Sequence, residues 1–333
     1  MSDFADLRRA ILFDPFDDTV RLVFADLVEE QRQPERAEFI RLQVRMASMP
    51  EYTSEFAALK KRERELIVAH GGTWREGYPR FTGIEWGPFI RGFIGGVEAR
   101  RWSDFAACAE QLFELEPIQQ LEIHTYTIEM LQEMKNAPIM KRLTRLDLNS
   151  MRLPSSELAP LLRSEHLESL TELHLVRDGL DDRVGTELFG SPVLSKLRRL
   201  KLNGNRFTPG SLRRLKKGMR SSLESLNLSE NPIESEGLEI LVAADVFPNL
   251  TALDLWGCGL ADAGIEALVR APWSSAIRVL DLTNNRISTK GAMALAASPN
   301  LENVVRIDLR YNQIPIKYRE QLTERFGDRV WVG

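Results

Sequence analysis

From residue 143 onward, aliphatic side chains recur in a fixed phrase: apolar at its first, fourth and sixth positions, Asn or Cys at the ninth, apolar again at the eleventh. The phrase opens at Leu143, Leu170, Leu197, Leu223, Leu250, Ile277 and Val304, in steps of 27, 27, 26, 27, 27 and 27 residues, and a degenerate copy opens 25 residues earlier at Ile118. Apolar fourth and sixth positions flanking an outward fifth follow a period of two, which predicts a short strand in every unit. Between strands the apolar residues return at helical spacing, as in Leu238, Leu241, Val242 and again in Ile265, Leu268, Val269. Gly237, Gly264 and Gly291 open several of these helices, and Pro138, Pro192, Pro272 and Pro299 follow and stop them. One strand and one returning helix per period predict strands lying side by side in a parallel sheet.

This phrase, Leu-x-x-Leu-x-Leu-x-x-(Asn/Cys)-x-Leu, resembles the leucine-rich repeat, and the helix in each unit resembles the ribonuclease-inhibitor-like subclass. The resemblance implies an α/β solenoid. Strands about 4.8 Å apart beneath helices that need about 9 Å, in layers about 10 Å apart, predict a rotation of roughly 0.4 radian per unit, hence an arch with strands on its concave wall and helices on its convex one. At the ninth position Asn205, Asn231, Asn285 and Asn312 are expected to bond the backbone of the neighbouring turn from inside, with Cys258 in one unit. Tyr126, Met151 and Asp178 stand at the same place earlier in the chain, so the ladder is expected to be less regular there. Residues 118–314 hold about eight such units, and 315–333 read as a C-terminal cap: a helix Ile316 to Phe326 and a terminal strand Val330-Trp331-Val332.

Residues 1–70 carry a different pattern. Ser2 and Asp3 are expected to cap a helix that runs to Phe13 and is stopped by Asp14-Pro15. A second helix begins at Asp17-Asp18, with Val20, Val23, Phe24, Leu27 and Val28 as its apolar stripe. Pro34 suits the first turn of a third helix, and a fourth runs from Thr53 to Ala69, ending at Gly71-Gly72. The stretch RLVFADLVEEQRQPERAEFIRLQ, with Arg21, Asp26, Glu29, Glu30, Arg36, Glu38 and Arg41, resembles the bacterial repeat-companion domain, a small all-α module at the head of repeat proteins; Leu27-Val28 departs from its usual aromatic-aliphatic pair. Asp26 and Arg41 could form a recognition pair, but charged groups near a helix seam are mostly structural, and the favoured reading is an ion-pair lattice between the second and third helices.

Residues 71–117 form a joint rich in Gly and aromatics: Trp74, Tyr78, Phe81, Trp86, Phe89 and Phe93. Gly92-Phe93-Ile94-Gly95-Gly96 lacks the Gly-Lys-Ser/Thr ending of a phosphate loop. A strand from Ile90 to Glu98 and a helix from Ser103 to Leu115 are expected to cover the exposed end of the array, with Cys108 buried on the apolar side of that helix.

Composition narrows the function. A net charge of -4, from 44 basic and 48 acidic residues, argues against bulk affinity for nucleic acid or membrane and leaves only local patches. Two cysteines give neither a disulfide framework nor a zinc set and fit a reducing, cytoplasmic setting. The start has no basic region leading into an apolar run, and no apolar run of about 18 residues occurs, so neither a signal peptide nor a membrane span is expected. His70, His124, His166 and His174 fall in no metal spacing, and no Gly-x-Ser-x-Gly elbow is present, so no cofactor, metal or catalytic group is assigned. The closest approach to chemistry is the outward fifth-position column Glu122, Asp147, His174, Lys201, which reads better as cross-strand pairing than as an acid and base on an open face.

What remains is binding. Trp256 stands outward where its neighbours are Ser229 and Thr283, and Arg310-Tyr311 closes the C-terminal end of the face; Trp, Tyr and Arg dominate interface energetics. Between Ser195 and Arg220 there are ten basic residues and no acid, and from Ser221 to Val269 nine acids and no base. The sequence therefore points to a protein-interaction scaffold whose concave face binds a partner through Arg199, Lys201, Trp256, Arg310 and Tyr311, with Glu172 and His174 beside them. The basic block suits an acidic or phosphorylated partner, and it equally suits ion pairing to the acidic block that follows. Two other readings are a polyanion contact at 195–220 and enzymatic activity in the N-terminal module.

Overall fold

The computed structural model describes residues 2–333, with burial described from residue 4; the side chains of Ser2 and Asp3, expected to cap the first helix, lie outside the described residues. The chain divides into two compact units, one ending at Thr125 and the other beginning at Tyr126.

The first unit opens with four helices, α1 (Ser2–Phe13), α2 (Asp18–Glu30), α3 (Pro34–Ala47) and α4 (Ser54–His70). Asp17 caps α2 through bonds from Thr19 N and Val20 N, Pro34 occupies the first turn of α3, and Thr53 caps α4 through Phe56 N, as the start signals predict. The stripe on α2 needs correction. Val23 is 48% exposed, while Arg21 is fully buried beside Phe24, Ala25 and Val28. Arg21 is tolerated inside because its guanidinium donates to Pro15 O (2.8 Å) and Arg91 O (2.9 Å) and lies over the Phe93 ring; burial, then the Arg91 charge, brings its pKa down to about 10.

The strand expected from Ile90 to Glu98 is broken. The chain forms β1 (Ile84–Trp86), β2 (Phe89–Ile90), β3 (Phe93–Ile94) and β4 (Gly96–Ala99), with β2 and β3 a hairpin. Arg91 and Gly92 both take positive φ, 50° and 88°, to turn that hairpin, and a Cβ on Gly92 would meet the Ile40 side chain at 2.5 Å. Helix α5 (Trp102–Leu115) and strand β5 (Gln120–Ile123) complete the unit, with β4 antiparallel to β1 and parallel to β5.

The second unit repeats one plan. Its strands are β6 (Arg145–Asp147), β7 (Glu172–His174), β8 (Arg199–Lys201), β9 (Ser225–Asn227), β10 (Ala252–Asp254), β11 (Val279–Asp281), β12 (Arg306–Asp308) and β13 (Val330–Trp331), each pairing in parallel with the next. The register aligns the fourth-position residues, Leu146 with Leu173, Leu200, Leu226, Leu253, Leu280 and Ile307, all buried. Helices α6 (Met130–Lys135), α7 (Ser155–Leu161), α8 (Asp182–Phe189), α9 (Pro209–Leu212), α10 (Glu234–Ala244), α11 (Asp262–Arg270), α12 (Thr289–Ala297) and α13 (Ile316–Phe326) return the chain, each packed on the next. This is the parallel α/β leucine-rich-repeat solenoid that the phrase predicts, and the unequal widths of strand and helix curve it.

Between turns, the ninth-position ladder forms. Asn231 accepts from Phe207 N (3.0 Å) and donates to Leu202 O (2.9 Å) and Leu228 O (3.0 Å); Asn205, Asn285 and Asn312 repeat the arrangement, and Cys258 Sγ donates to Leu228 O at 3.2 Å. Asp178 extends the ladder by half, accepting from Met151 N (2.6 Å) and Arg152 N (3.1 Å) without an amide to donate back. Helix α9 ends at Leu212, so the basic residues Arg213, Arg214, Lys216 and Lys217 follow it outside the helix. Like charges at i,i+3 and i,i+4, with Pro209-Gly210 at the start, leave nothing to prolong it.

Candidate recognition face

Three outward columns run along the strand face of the second unit, from the third, fifth and seventh phrase positions. At its N-terminal end the face is a closed electrostatic network. His174 Nδ1 lies 2.7 Å from Asp147 Oδ1, and because a carboxylate only accepts, that nitrogen carries the proton. Arg145 donates to the same carboxylate at 2.7 Å and lies 3.8 Å from Glu172, which accepts from Arg199 at 2.9 Å. Burial pushes Asp147 up, and the bonds from His174 and Arg145 outweigh it, holding the carboxyl below its usual range. His174 is 3% exposed and its Nε2 has no hydrogen-bond partner. Of the residues singled out from sequence, Glu172 and Arg199 are therefore bound to each other, His174 is bound to Asp147 and linked to them only through Arg145, and Lys201 stands exposed beside them.

Further along, the fifth-position column continues as Asn227, Asp254, Asp281 and Asp308, in strand register. Each side chain accepts from the backbone N–H two residues on: Ser229, Trp256, Thr283 and Arg310, at 2.9, 3.1, 2.9 and 3.2 Å. Burial, then the neighbouring Asp281 charge, raises Asp254 to about 6, even though Asn227 Nδ2 donates to it at 2.8 Å. Asp308 is held down instead, because Arg310 forks onto it at 2.6 and 2.9 Å. Trp256 is 36% exposed and Tyr311 78%. Trp331 of β13 has the guanidinium groups of Arg306 and Arg310 at 5.7 and 5.2 Å from its ring.

Sequence reading stopped the fifth column at Lys201 and so passed over Asp254 and Asp281. The signal was available, since both stand at phrase position five. It also passed over a cavity of about 320 Å³ in the first unit, lined by Gly83, Ile84, Glu85, Glu98, Arg100 and His124. There Glu85, Glu98 and Glu122 align on β1, β4 and β5, and His124 Nε2 lies 3.4 Å from Glu98. Among the described residues no group of three His, Cys, Asp or Glu is placed to hold a metal ion, and no helix is long and apolar enough to cross a membrane. In the helical module Arg41 pairs with both Asp26 and Glu29 at 2.6 Å, an exposed link between α2 and α3.

The two charged blocks meet in part. Arg198 pairs with Glu224 and Arg213 with Glu236, at 2.8 and 3.3 Å. Among the described residues, Lys201, Arg206, Lys216, Lys217 and Arg220 close no ion pair.

A leucine-rich repeat family model matches residues 221–242, 248–269 and 275–296, inside the units that open at Leu223, Leu250 and Ile277. No curated protein matches the chain. Among solved structures, the chain is similar to a protein from Bacteroides fragilis (14% identity over 69% of this chain and 83% of that one, TM-score 0.41). It is also similar to a chain of the yeast Rad7–Elc1 complex (13%, 92% and 91%, TM-score 0.44) and to a leucine-rich-repeat protein of Leptospira interrogans (16%, 64% and 90%, TM-score 0.23). At such TM-scores these likenesses carry no weight for a site or a partner, and the fold stands on the strand registers and the asparagine ladder.

Proposed function

We propose that this chain, which carries leucine-rich repeats in its second unit, is a non-catalytic scaffold that binds a partner protein on the strand face of those repeats. The observation that carries the reading is Trp256: a large ring more than a third exposed, in a column where Ser229 and Thr283 are buried and small. An aromatic projecting from such a face has the features of an interface anchor. Arg310, Tyr311, Arg199 and Lys201 supply the surrounding polar contacts, while Glu172 and His174 act from beneath by fixing Arg199 and Asp147. The same proposal identifies residues 1–70 as a bacterial repeat-companion module that tethers the scaffold, and the repeats as the ribonuclease-inhibitor-like subclass; the four helices and the Arg41–Asp26–Glu29 link support the first, the helix in each unit the second. Partner capture from native lysate is expected to weaken at least about tenfold in Trp256→Ala/Arg310→Ala, the loss of two anchors; unchanged capture would move the site elsewhere.

A second reading is favoured by the unpaired cations Lys201, Arg206, Lys216, Lys217 and Arg220, which suit an acidic or phosphorylated partner, or nucleic acid. It requires binding of a polyanion such as heparin or RNA that falls steeply with salt, and no retention on heparin at low salt removes it.

A further inference from the structure

At the N-terminal end of the strand face the cations Arg145, Arg199 and Lys201 stand against the carboxylates Asp147 and Glu172. Arg145 and His174 hold Asp147, and Arg199 holds Glu172. Lys201 is exposed on β8, cross-strand from His174, and among the described residues its ammonium closes no ion pair or hydrogen bond. Its other cross-strand neighbour, Asn227, gives its amide to Asp254 (2.8 Å) and its carbonyl to Ser229 N (2.9 Å) and Ser229 Oγ (2.7 Å). One positive charge is left without an answer.

A separate observation lies beside it. His174 is 3% exposed, yet its Nε2 has no hydrogen-bond partner, an uncommon state for a buried polar atom. Its Nδ1 carries the proton toward Asp147 on β6. The two ring nitrogens point away from each other, so the Nε2 lone pair turns from β6 toward the side of β8, where Lys201 stands. The long side chains flanking the ring, Arg145, Arg199 and Lys201, are part or fully exposed, and a ligand reaches Nε2 by their rotation alone. What is missing is one group that accepts from a lysine and also shares a proton with an imidazole. A carboxylate, ionised above about pH 4, faces the lone pair with lone pairs of its own. A nucleic-acid phosphodiester has no second proton and fails in the same way. A phosphate monoester keeps its second proton until about pH 6 and does both. It also closes the charge, because a phosphate that shares one proton with Nε2 brings the single negative charge that Lys201 lacks.

We infer that this end of the strand face receives a phosphorylated side chain of the partner protein, its phosphate held by Lys201 and Arg199 and hydrogen-bonded to His174 Nε2. The inference rests on the strand face being the recognition surface and names what is recognised at this end.

The test uses the full chain at physiological ionic strength and two glycine-flanked peptides as probes, one carrying phosphoserine and the other glutamate. Binding is read from the His174 imidazole resonances, assigned by His174→Gln. The phosphopeptide is expected to shift them and to bind at least about fivefold more tightly than the glutamate peptide. Lys201→Gln is expected to weaken phosphopeptide binding at least about fivefold. Lys216→Gln/Lys217→Gln, which removes charge from the same basic block beyond α9, is expected to weaken it less than about twofold. Unmoved imidazole resonances, equal binding of the two peptides, or equal losses in the two lysine variants overturn the inference. Lys201 is exposed, so its replacement is expected to leave folding intact, with thermal unfolding as the check. Partner capture that depends on Trp256 but survives both Lys201→Gln and phosphatase treatment of the lysate leaves the recognition face standing and removes only the phosphate.

Discussion

A single carboxyl separates Asp178 from its ladder neighbours, and the chemistry is legible atom by atom. In Asn205 the amide donates to Leu175 O and Leu202 O, at 2.7 and 2.8 Å. By register the matching carbonyls for residue 178 belong to Leu148 and Leu175, and Asp178 Oδ2 is buried there with no partner. An ionised oxygen facing carbonyls cannot donate, and burial raises its pKa to about 6. The sequence marked this residue as a break in regularity, because residue type shows that an amide is missing but not that half its bonds survive. The folded-state pKa is above the unfolded value, so the protonated form is favoured by folding: stability is full below about pH 4 and is lost as pH rises through about 6. Asp178→Asn is expected to add about 2 kcal/mol at pH 7.5 and much less at pH 5, read by denaturant unfolding at both pH values. A gain independent of pH would mean the carboxyl is already satisfied.

Among the elements, what repeats or carries its own start signal is readable, and what depends on a distant partner is not. Eight strands follow from a phrase stated many times, so each copy corroborates the others, and α2, α3 and α4 follow from Asp17, Pro34 and Thr53 at their starts. The hairpin at Arg91-Gly92 and the buried Arg21 occur once, and their causes, the side chain of Ile40 and the carbonyls of Pro15 and Arg91, come from elsewhere in the chain. The ladder asparagines should be costly to replace. Asn231→Ala orphans Phe207 N and leaves Leu202 O and Leu228 O with only their bonds from Asn205 and Cys258, and is expected to lower unfolding free energy by about 2 kcal/mol, measured by urea denaturation. The stunted α9 should respond to charge alone. Lys217→Glu places an acid four residues after Arg213 and is expected to slow amide hydrogen exchange across 213–217, by a few tenths of a kcal/mol of helix stabilisation.

At the scale of the molecule, the strand face was foreseen as an open surface, and the second unit presents one. Its charge pattern was foreseen less well, because sequence gives the sign of each side chain and not whether a neighbour answers it. Arg199 reads as a free cation until Glu172 is seen beneath it, and Asp254 reads as one acid among many until Asp281 is seen opposite it and Asn227 donating to it. The truncated helix has one more consequence. Beyond Leu212 the backbone carries Arg213, Arg214, Lys216, Lys217 and Arg220, all exposed, through irregular chain. A trypsin-like protease, which needs an extended and accessible segment after a basic residue, should nick the molecule here before anywhere else in the repeats. Each repeat is held chiefly by its nearest neighbours, and β8 stays zipped to β9 across the cut. The severed halves are therefore expected to travel as one particle on gel filtration and to part only in denaturant.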